Sequence, residues 1–352
     1  MLELDADNVV EYLRGRGYLG DAGPVAVDVL RGGVSNQVLL LQPAGSTAPL
    51  VVKQARRQLR TEDPWFCDPA RIFREAEVLR HCAHLVPEGR TPRILFEDRE
   101  SYLFGMTAAP AGHTTWKSEL LAGRFDRPTA TCCGELMAAL HAGTWGETAL
   151  AATLGDLAIF DALRLDPYYR TVARRHPSAA ERLRRLIESA QTQRHALVHA
   201  DFSPKNLLVF AGGPLLIDFE TGHYGDPAFD LGFFLTHLVL KTGYHAARAD
   251  EVLDLAEAFW AAYEPRVGRR AGADEYRRLM ARGMLHLGGC IWARLDGKSP
   301  VEYLHDERLR EALRRLADEL LTGAAPDWHC ARAAIRRYLA PLAVPRNQEH
   351  GR

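Results

Sequence analysis

The sequence predicts an α+β protein of two lobes, a small β-rich N-terminal one and a larger, mainly helical C-terminal one. Strand-like runs crowd into the first third of the chain, while apolar residues at helical spacing dominate the remainder. A length of 352 residues exceeds one ordinary domain and falls short of three.

Taken in order, Asp7 can cap a first helix in which Val9, Val10 and Leu13 recur at helical spacing, with Gly17 near its end. VAVDVL (25–30) and QVLLLQ (37–42) read as strands separated by RGGVSN (31–36), and LVVKQ (50–54) as a third. From Asp68 the pattern turns helical, with Ile72, Ala76 and Leu79 on one face. RILFE (93–97) and YLFGM (102–106) read as a hairpin, after which Pro110, Ala111 and Gly112 break the pattern. A hinge is expected at Met106–Gly112, dividing a lobe at 1–107 from one at 108–345, with a tail at 346–352. Helices are expected near 127–142, 178–193, 228–241, 250–264, 273–292, 305–321 and 329–339, interrupted by a β-hairpin at 207–219.

The formal charge is −1 and both signs are mixed along the chain, so binding to nucleic acid or to an anionic membrane is not expected. Only five of the 44 basic residues are lysines (Lys53, Lys117, Lys205, Lys241, Lys298), which makes each of them worth a question. The six cysteines show no CxxC pair and no zinc-like Cys/His spacing, and they read as reduced and mostly buried. The opening MLELDADNVVEYL lacks the positive charge and apolar run of a signal peptide, and no run is long enough to span a bilayer. A cytoplasmic protein is expected, with a homodimer left open.

The most informative stretch is HADFSPKNLLVFAGGPLLIDFE, His199 to Glu220. LLVF (207–210) and LLID (215–218) flank the turn AGGP, so the simplest register sets residue 207 opposite 218 and brings Asn206 and Asp218 within reach of one Mg²⁺. Asp201 lies five residues before Asn206 in a loop with Pro204, which leaves a carboxylate free of the metal nearby. Phosphoryl transfer needs those parts: oxygen ligands for Mg²⁺ and a carboxylate to orient and deprotonate an attacking hydroxyl.

Upstream, the glycines of RGGVSN let backbone N–H groups approach phosphates closely, which nominates Gly32, Gly33, Ser35 and Asn36 as nucleotide contacts. Lys53 ends an apolar run from which it can reach across the sheet's inner face to the α- and β-phosphates. Its expected partner is Glu75, which shares a helix face with Ile72 and Leu79, whereas Glu77 is rotated away.

The HxDxxxxN…D pattern resembles that of the protein-kinase-like small-molecule kinases, among them aminoglycoside phosphotransferases, choline kinases and methylthioribose kinases. That resemblance covers nearly the whole chain and implies a two-lobed protein-kinase-like fold with the nucleotide between the lobes. It implies Asp201 as catalytic base, Asn206 and Asp218 as Mg²⁺ ligands and His199 as a support of the catalytic loop. In GHYGDPAFDLG (222–232) it implies that Asp230 braces that loop, while Asp226 reads as an N-cap for the helix that follows. The nucleotide base is expected on the hinge backbone near Met106 and Ala108.

Methylthioribose kinases give the nearest likeness, through VKQA (52–55), the Trp65 segment with Asp68, Arg71 and Glu75, TTWKSELLAG (114–123) and the DxE pattern of DFE (218–220). Glu220 is thereby a candidate for metal or substrate contact. The chain departs from that family late, where GGCIWARLDGKSP (288–300) offers Arg294 beside Ala293 instead of two adjacent arginines. The sequence thus predicts a kinase that uses Mg²⁺ and ATP or GTP to phosphorylate a sugar-like, nucleoside-like or antibiotic hydroxyl, with Asp201, Glu220 and Arg294 toward the acceptor. The rival expectations are a methylthioribose kinase and a nucleotide-binding module without catalysis. Acceptor-dependent nucleotide consumption separates the three.

Overall fold

β-Branched and leucine-rich runs near the N-terminus pair into one five-stranded antiparallel sheet. The structure, a computed structural model, describes all residues except 1, 22, 31–35, 46–47, 57–67 and 343–352. The chain divides into two compact units, Met1–His113 with Leu215–Glu220, and Thr114–Pro214 with Thr221–Arg352. The main segment of the first unit ends at His113, and residues 215–220 belong to that unit. Gly32, Gly33, Ser35 and Trp65 lie outside the described residues.

In the first unit α1 (Val9–Gly15) precedes β1 (Val25–Val29), β2 (Asn36–Pro43) and β3 (Leu50–Ala55); α2 (Arg71–Ala83), β4 (Ile94–Asp98) and β5 (Leu103–Thr107) follow. The sheet order is β1-β2-β3-β5-β4. Alternation sorts β3 between two faces. Leu50 and Val52 join Leu39, Leu41, Leu103, Val9 and Leu13 in one apolar cluster, while the side chain of Lys53 leaves by the other face, where it meets α2.

The second unit opens with β6 (Thr114–Thr115), α3 (Trp116–Leu121), α4 (Arg127–Thr144), α5 (Thr148–Leu154) and α6 (Ala158–Phe160). A π-helix (Asp161–Arg170), α7 (Thr171–Arg175), α8 (Ala180–Thr192) and β7 (Ala196–Val198) follow. β8 (Leu207–Phe210), β9 (Gly213–Leu216), β10 (His223–Gly225), α9 (Pro227–Tyr244), α10 (Ala249–Ala271), α11 (Ala273–Asp296), α12 (Glu307–Leu321) and α13 (Trp328–Leu339) complete it, with the last two residues of β9 in the first unit. Aspartates cap α4, α9, α12 and α13 through Asp126, Asp226, Asp306 and Asp327, as their loop positions before apolar periodic runs require. α9 is buried along nearly its whole length, and at Gly232 it lies so close to α11 that an added Cβ would stand 2.4 Å from His286 Cβ.

Two sequence expectations are corrected. β8 and β9 are separated by residues 211–212 alone, and β9 ends at Leu216, so Asp218 follows the strand instead of pairing opposite Leu207. α10 continues past Pro265 to Ala271, because the buried stripe carries on from Tyr263 to Val267 and outweighs one lost backbone bond.

Candidate active site

In the first unit the chemistry gathers on Lys53. The residue is 5% exposed, and its ammonium bonds Glu75 Oε2 at 2.6 Å and Asp218 Oδ1 at 2.8 Å. Burial opposes its charge, but Asp218, Glu75 and Glu220 outweigh burial and hold it firmly protonated. Burial pushes Glu75 up to about 7 against the pull of Lys53. Glu75 also accepts from the Phe219 amide at 3.3 Å, which ties α2 to the segment carrying Asp218. Asp218 has φ 69°, left-handed for a residue with a side chain. Asn36 donates to Glu220 Oε2 at 3.1 Å. Met106 lies within β5 opposite Val51, and Ala108, just beyond, donates to the Pro49 carbonyl at 3.4 Å.

In the second unit the loop after β7 carries Asp201, 3% exposed. Ala200 before it takes φ 58°, a conformation that costs alanine about 1 kcal/mol and needs holding. Asp230 supplies the hold, accepting from the His199 and Ala200 amides at 2.7 Å each. Burial works against the Asp230 carboxylate, but His141 at 3.2 Å, His199 and the backbone keep it below the usual range. His199 Nδ1 accepts from the Asp201 amide at 3.1 Å.

Three side chains grip the Asp201 carboxylate. Asn206, in a single 3₁₀ turn before β8, donates to Oδ2 at 2.8 Å and to the Asp201 carbonyl at 3.0 Å. Arg164 and Lys205 both reach Oδ2 at 3.0 Å. Arg164 also bonds the Ala200 carbonyl at 2.7 Å, so it grips the strained residue and its neighbour together. No pattern marked Arg164 in the sequence; for Lys205 the scarcity of lysine was the available signal.

Asn206 spends its amide nitrogen on Asp201. Asn206 and Asp218, the ligands the sequence suggests, both carry side-chain oxygens, the donor chemistry that a hard cation such as Mg²⁺ takes. Among the described residues, no group of three or more His, Cys, Asp or Glu side chains is arranged to hold a metal.

Asp226 caps α9 and is clamped by Arg282 at 2.7 and 3.1 Å, so both are committed to structure. Arg294, at the end of α11, bonds Ser299 Oγ at 3.0 Å and lies 3.5 Å from the Tyr168 hydroxyl.

A model of the phosphotransferase enzyme family matches residues 27–282. The chain belongs to that family. Methylthioribose kinase of Yersinia pestis (strain Pestoides F) is 27% identical over 265 residues, covering 67% of this chain and 64% of that protein. The one from Yersinia enterocolitica serotype O:8 / biotype 1B is 28% identical over 269 residues, covering 67% and 65%. The chain thus spans slightly less than two thirds of these relatives' length. Among solved structures, the amicoumacin kinase hAmiN in complex with AMP-PNP, Ca²⁺ and Ami shares the fold at TM-score 0.53 and 14% identity, covering 91% of this chain and 95% of that one. The GDP complex of an aminoglycoside 2'-phosphotransferase-IIIa mutant does so at TM-score 0.52 and 15%, covering 91% and 98%. No helix among the described residues is long and apolar enough to cross a membrane.

Proposed function

We propose that the chain is a cytoplasmic small-molecule kinase that transfers the γ-phosphoryl group of ATP or GTP to a hydroxyl of a sugar-like, nucleoside-like or antibiotic acceptor. The observation that carries this reading is the Asp201 loop. A buried carboxylate is fixed by Asn206, Arg164 and Lys205 on a strained backbone braced by Asp230. Such effort over one carboxylate suits a group that must orient a reacting hydroxyl.

The acceptor oxygen attacks the γ-phosphorus, its proton passes to Asp201, and the bond to the β–γ bridging oxygen breaks to release the nucleoside diphosphate. Asn206 and Asp218 would hold Mg²⁺, whose role is to neutralise charge on the phosphates. Lys53, aimed by Glu75, engages the α- and β-phosphates; Asn36 with the glycines before it covers them, and the Met106 and Ala108 backbone receives the base. Glu220 and Arg294 are the further candidates for contact with metal or acceptor.

Asp201→Asn tests the reading. Turnover is expected to fall on the order of 10²-fold or more, with nucleotide affinity nearly unchanged, because the base acts on the acceptor. Parental turnover in this variant with a working acceptor would remove Asp201 from the role.

The relatives from Yersinia favour a second reading, methylthioribose phosphorylation. Against it, Ala293 is buried, Arg282 is clamped by Asp226, and Arg332 and Arg336 of α13 pair with Asp254 and Asp250. None of them stands ready to replace a second arginine beside Arg294. Methylthioribose is therefore expected to be a poor substrate, and a specificity constant near ~10⁵ M⁻¹s⁻¹ would establish the salvage reaction instead.

A further inference from the structure

One place in the helical unit buries two basic side chains for which no carboxylate partner stands among the described residues. His237 and Lys241 stand one turn apart on α9, hence on one face. Lys241 is 1% exposed and His237 8%. The ammonium of Lys241 has two long hydrogen bonds, to the His237 carbonyl at 3.4 Å and to the Tyr303 hydroxyl at 3.5 Å, and lies 5.1 Å from the Tyr303 ring. Among the described residues no carboxylate pairs with it, and His237 Nε2 is buried with no hydrogen-bond partner. Arg294 Nε is equally buried and unpartnered.

The surroundings add positive charge. Burial, then Lys241, Arg294, Lys205 and Lys117, push His237 well below its ordinary range. Burial, then Lys117 and Arg294, bring Lys241 down to about 7, while Glu302 opposes them. Glu302 is itself committed to Lys117. An ammonium taken from water without a counter-ion is costly and weakens the fold. Four of the chain's five lysines lie in this unit, and three of them converge here.

A chain of packed side chains links the place to Asp201. Arg164, which bonds Asp201, lies 5.7 Å from the centre of the Phe233 ring, and that ring lies 5.2 Å from the ring of His237.

We propose that His237 and Lys241, with Arg294, form an anion subsite of the acceptor site, and that the acceptor is a hydroxylated molecule bearing a carboxylate or a phosphate ester. The proposal rests on the kinase reading and narrows its substrate class. An acceptor of this kind supplies the missing counter-charge, whereas amino sugars and quaternary amines meet repulsion from the same groups.

The test uses the full chain with saturating Mg²⁺ and AMP-PNP, so that nucleotide-phosphate contacts are already filled. The binding of D-gluconate, D-glucose 6-phosphate and, as a cationic control, D-glucosamine is measured by calorimetry and thermal shift. At least one anion is expected to bind and raise the melting temperature, and glucosamine to do neither. A response to gluconate alone assigns a carboxylate, and one to the sugar phosphate alone a phosphate ester. Lys241→Met is expected to weaken anion binding about tenfold to a hundredfold. Without a probe it should melt no lower than the parent, because it removes an unpaired buried charge. Should that variant fail to fold, His237→Phe decides by its loss of anion binding. Binding of neither anion, or a Lys241→Met chain that melts lower and binds anions as the parent does, makes Lys241 a structural residue and overturns the proposal. The kinase reading fails separately, if the parent chain does not bind Mg²⁺ and AMP-PNP.

Discussion

A lysine buried between two carboxylates makes each of the three groups depend on the others. Without Lys53, Glu75 and Asp218 face one another without a cation; without Glu75, the ammonium keeps Asp218 and loses the partner that positions it. Each single alanine substitution is therefore expected to cost nucleotide affinity, and the double substitution to cost less than their sum by about 0.5–3 kcal/mol. Dissociation constants for the Mg²⁺–nucleotide complex of the four proteins give the coupling, and strictly additive losses would dissolve the pair. Glu75 was legible because Ile72 and Leu79 mark the buried face of α2, on which Glu75 falls. Arg164 was not, since it reaches Asp201 from 37 positions earlier through a contact that only the folded chain creates.

At the scale of elements, α9 connects the brace of the Asp201 loop to the packing of the helical unit. Asp230 stands two residues before Gly232, where α9 and α11 come so close that a Cβ would lie 2.5 Å from the Leu287 amide nitrogen. Backbone cannot yield as a flexible side chain can, so Gly232→Ala must push the helices apart. The expected loss is about 1–3 kcal/mol, seen as a lower denaturant midpoint. An unchanged midpoint would mean that the crossing is looser than its geometry. Helices with an aspartate cap and a clear apolar stripe, such as α12 and α13, could be read from the sequence. The π-helix could not, because Asp166-Pro167 reads as a break while burial of Leu165, Tyr168 and Tyr169 carries the helix through it. The end of β9 was misplaced for a related reason: Leu215, Leu216 and Ile217 continue the apolar run beyond the last paired residue.

For the whole molecule, buried histidines tie stability to acidity. His286 is fully buried in α11, with Nδ1 2.8 Å from the Tyr169 hydroxyl; burial, aided by Arg282 and opposed by Asp226, lowers it to about 4. His237 is lowered well below its ordinary range as well. In the unfolded chain both titrate near ~6.5. As pH falls below that value the unfolded chain takes up protons that the folded chain refuses, so stability is full above about 6.5 and declines toward 4. For His286 the separation amounts to about 3 kcal/mol, at 1.36 kcal/mol per unit. Glu75 works the other way, since a carboxyl raised to about 7 makes the folded chain the tighter proton binder between about 4.5 and 7. The histidines outnumber it in the window they share, so a net loss of stability on acidification is expected. Urea unfolding at several pH values between about 7.5 and 4.5 measures the slope, and His286→Gln should flatten it by close to one proton. The same slope in the variant as in the parent would show that His286 takes up its proton without unfolding the helices around it.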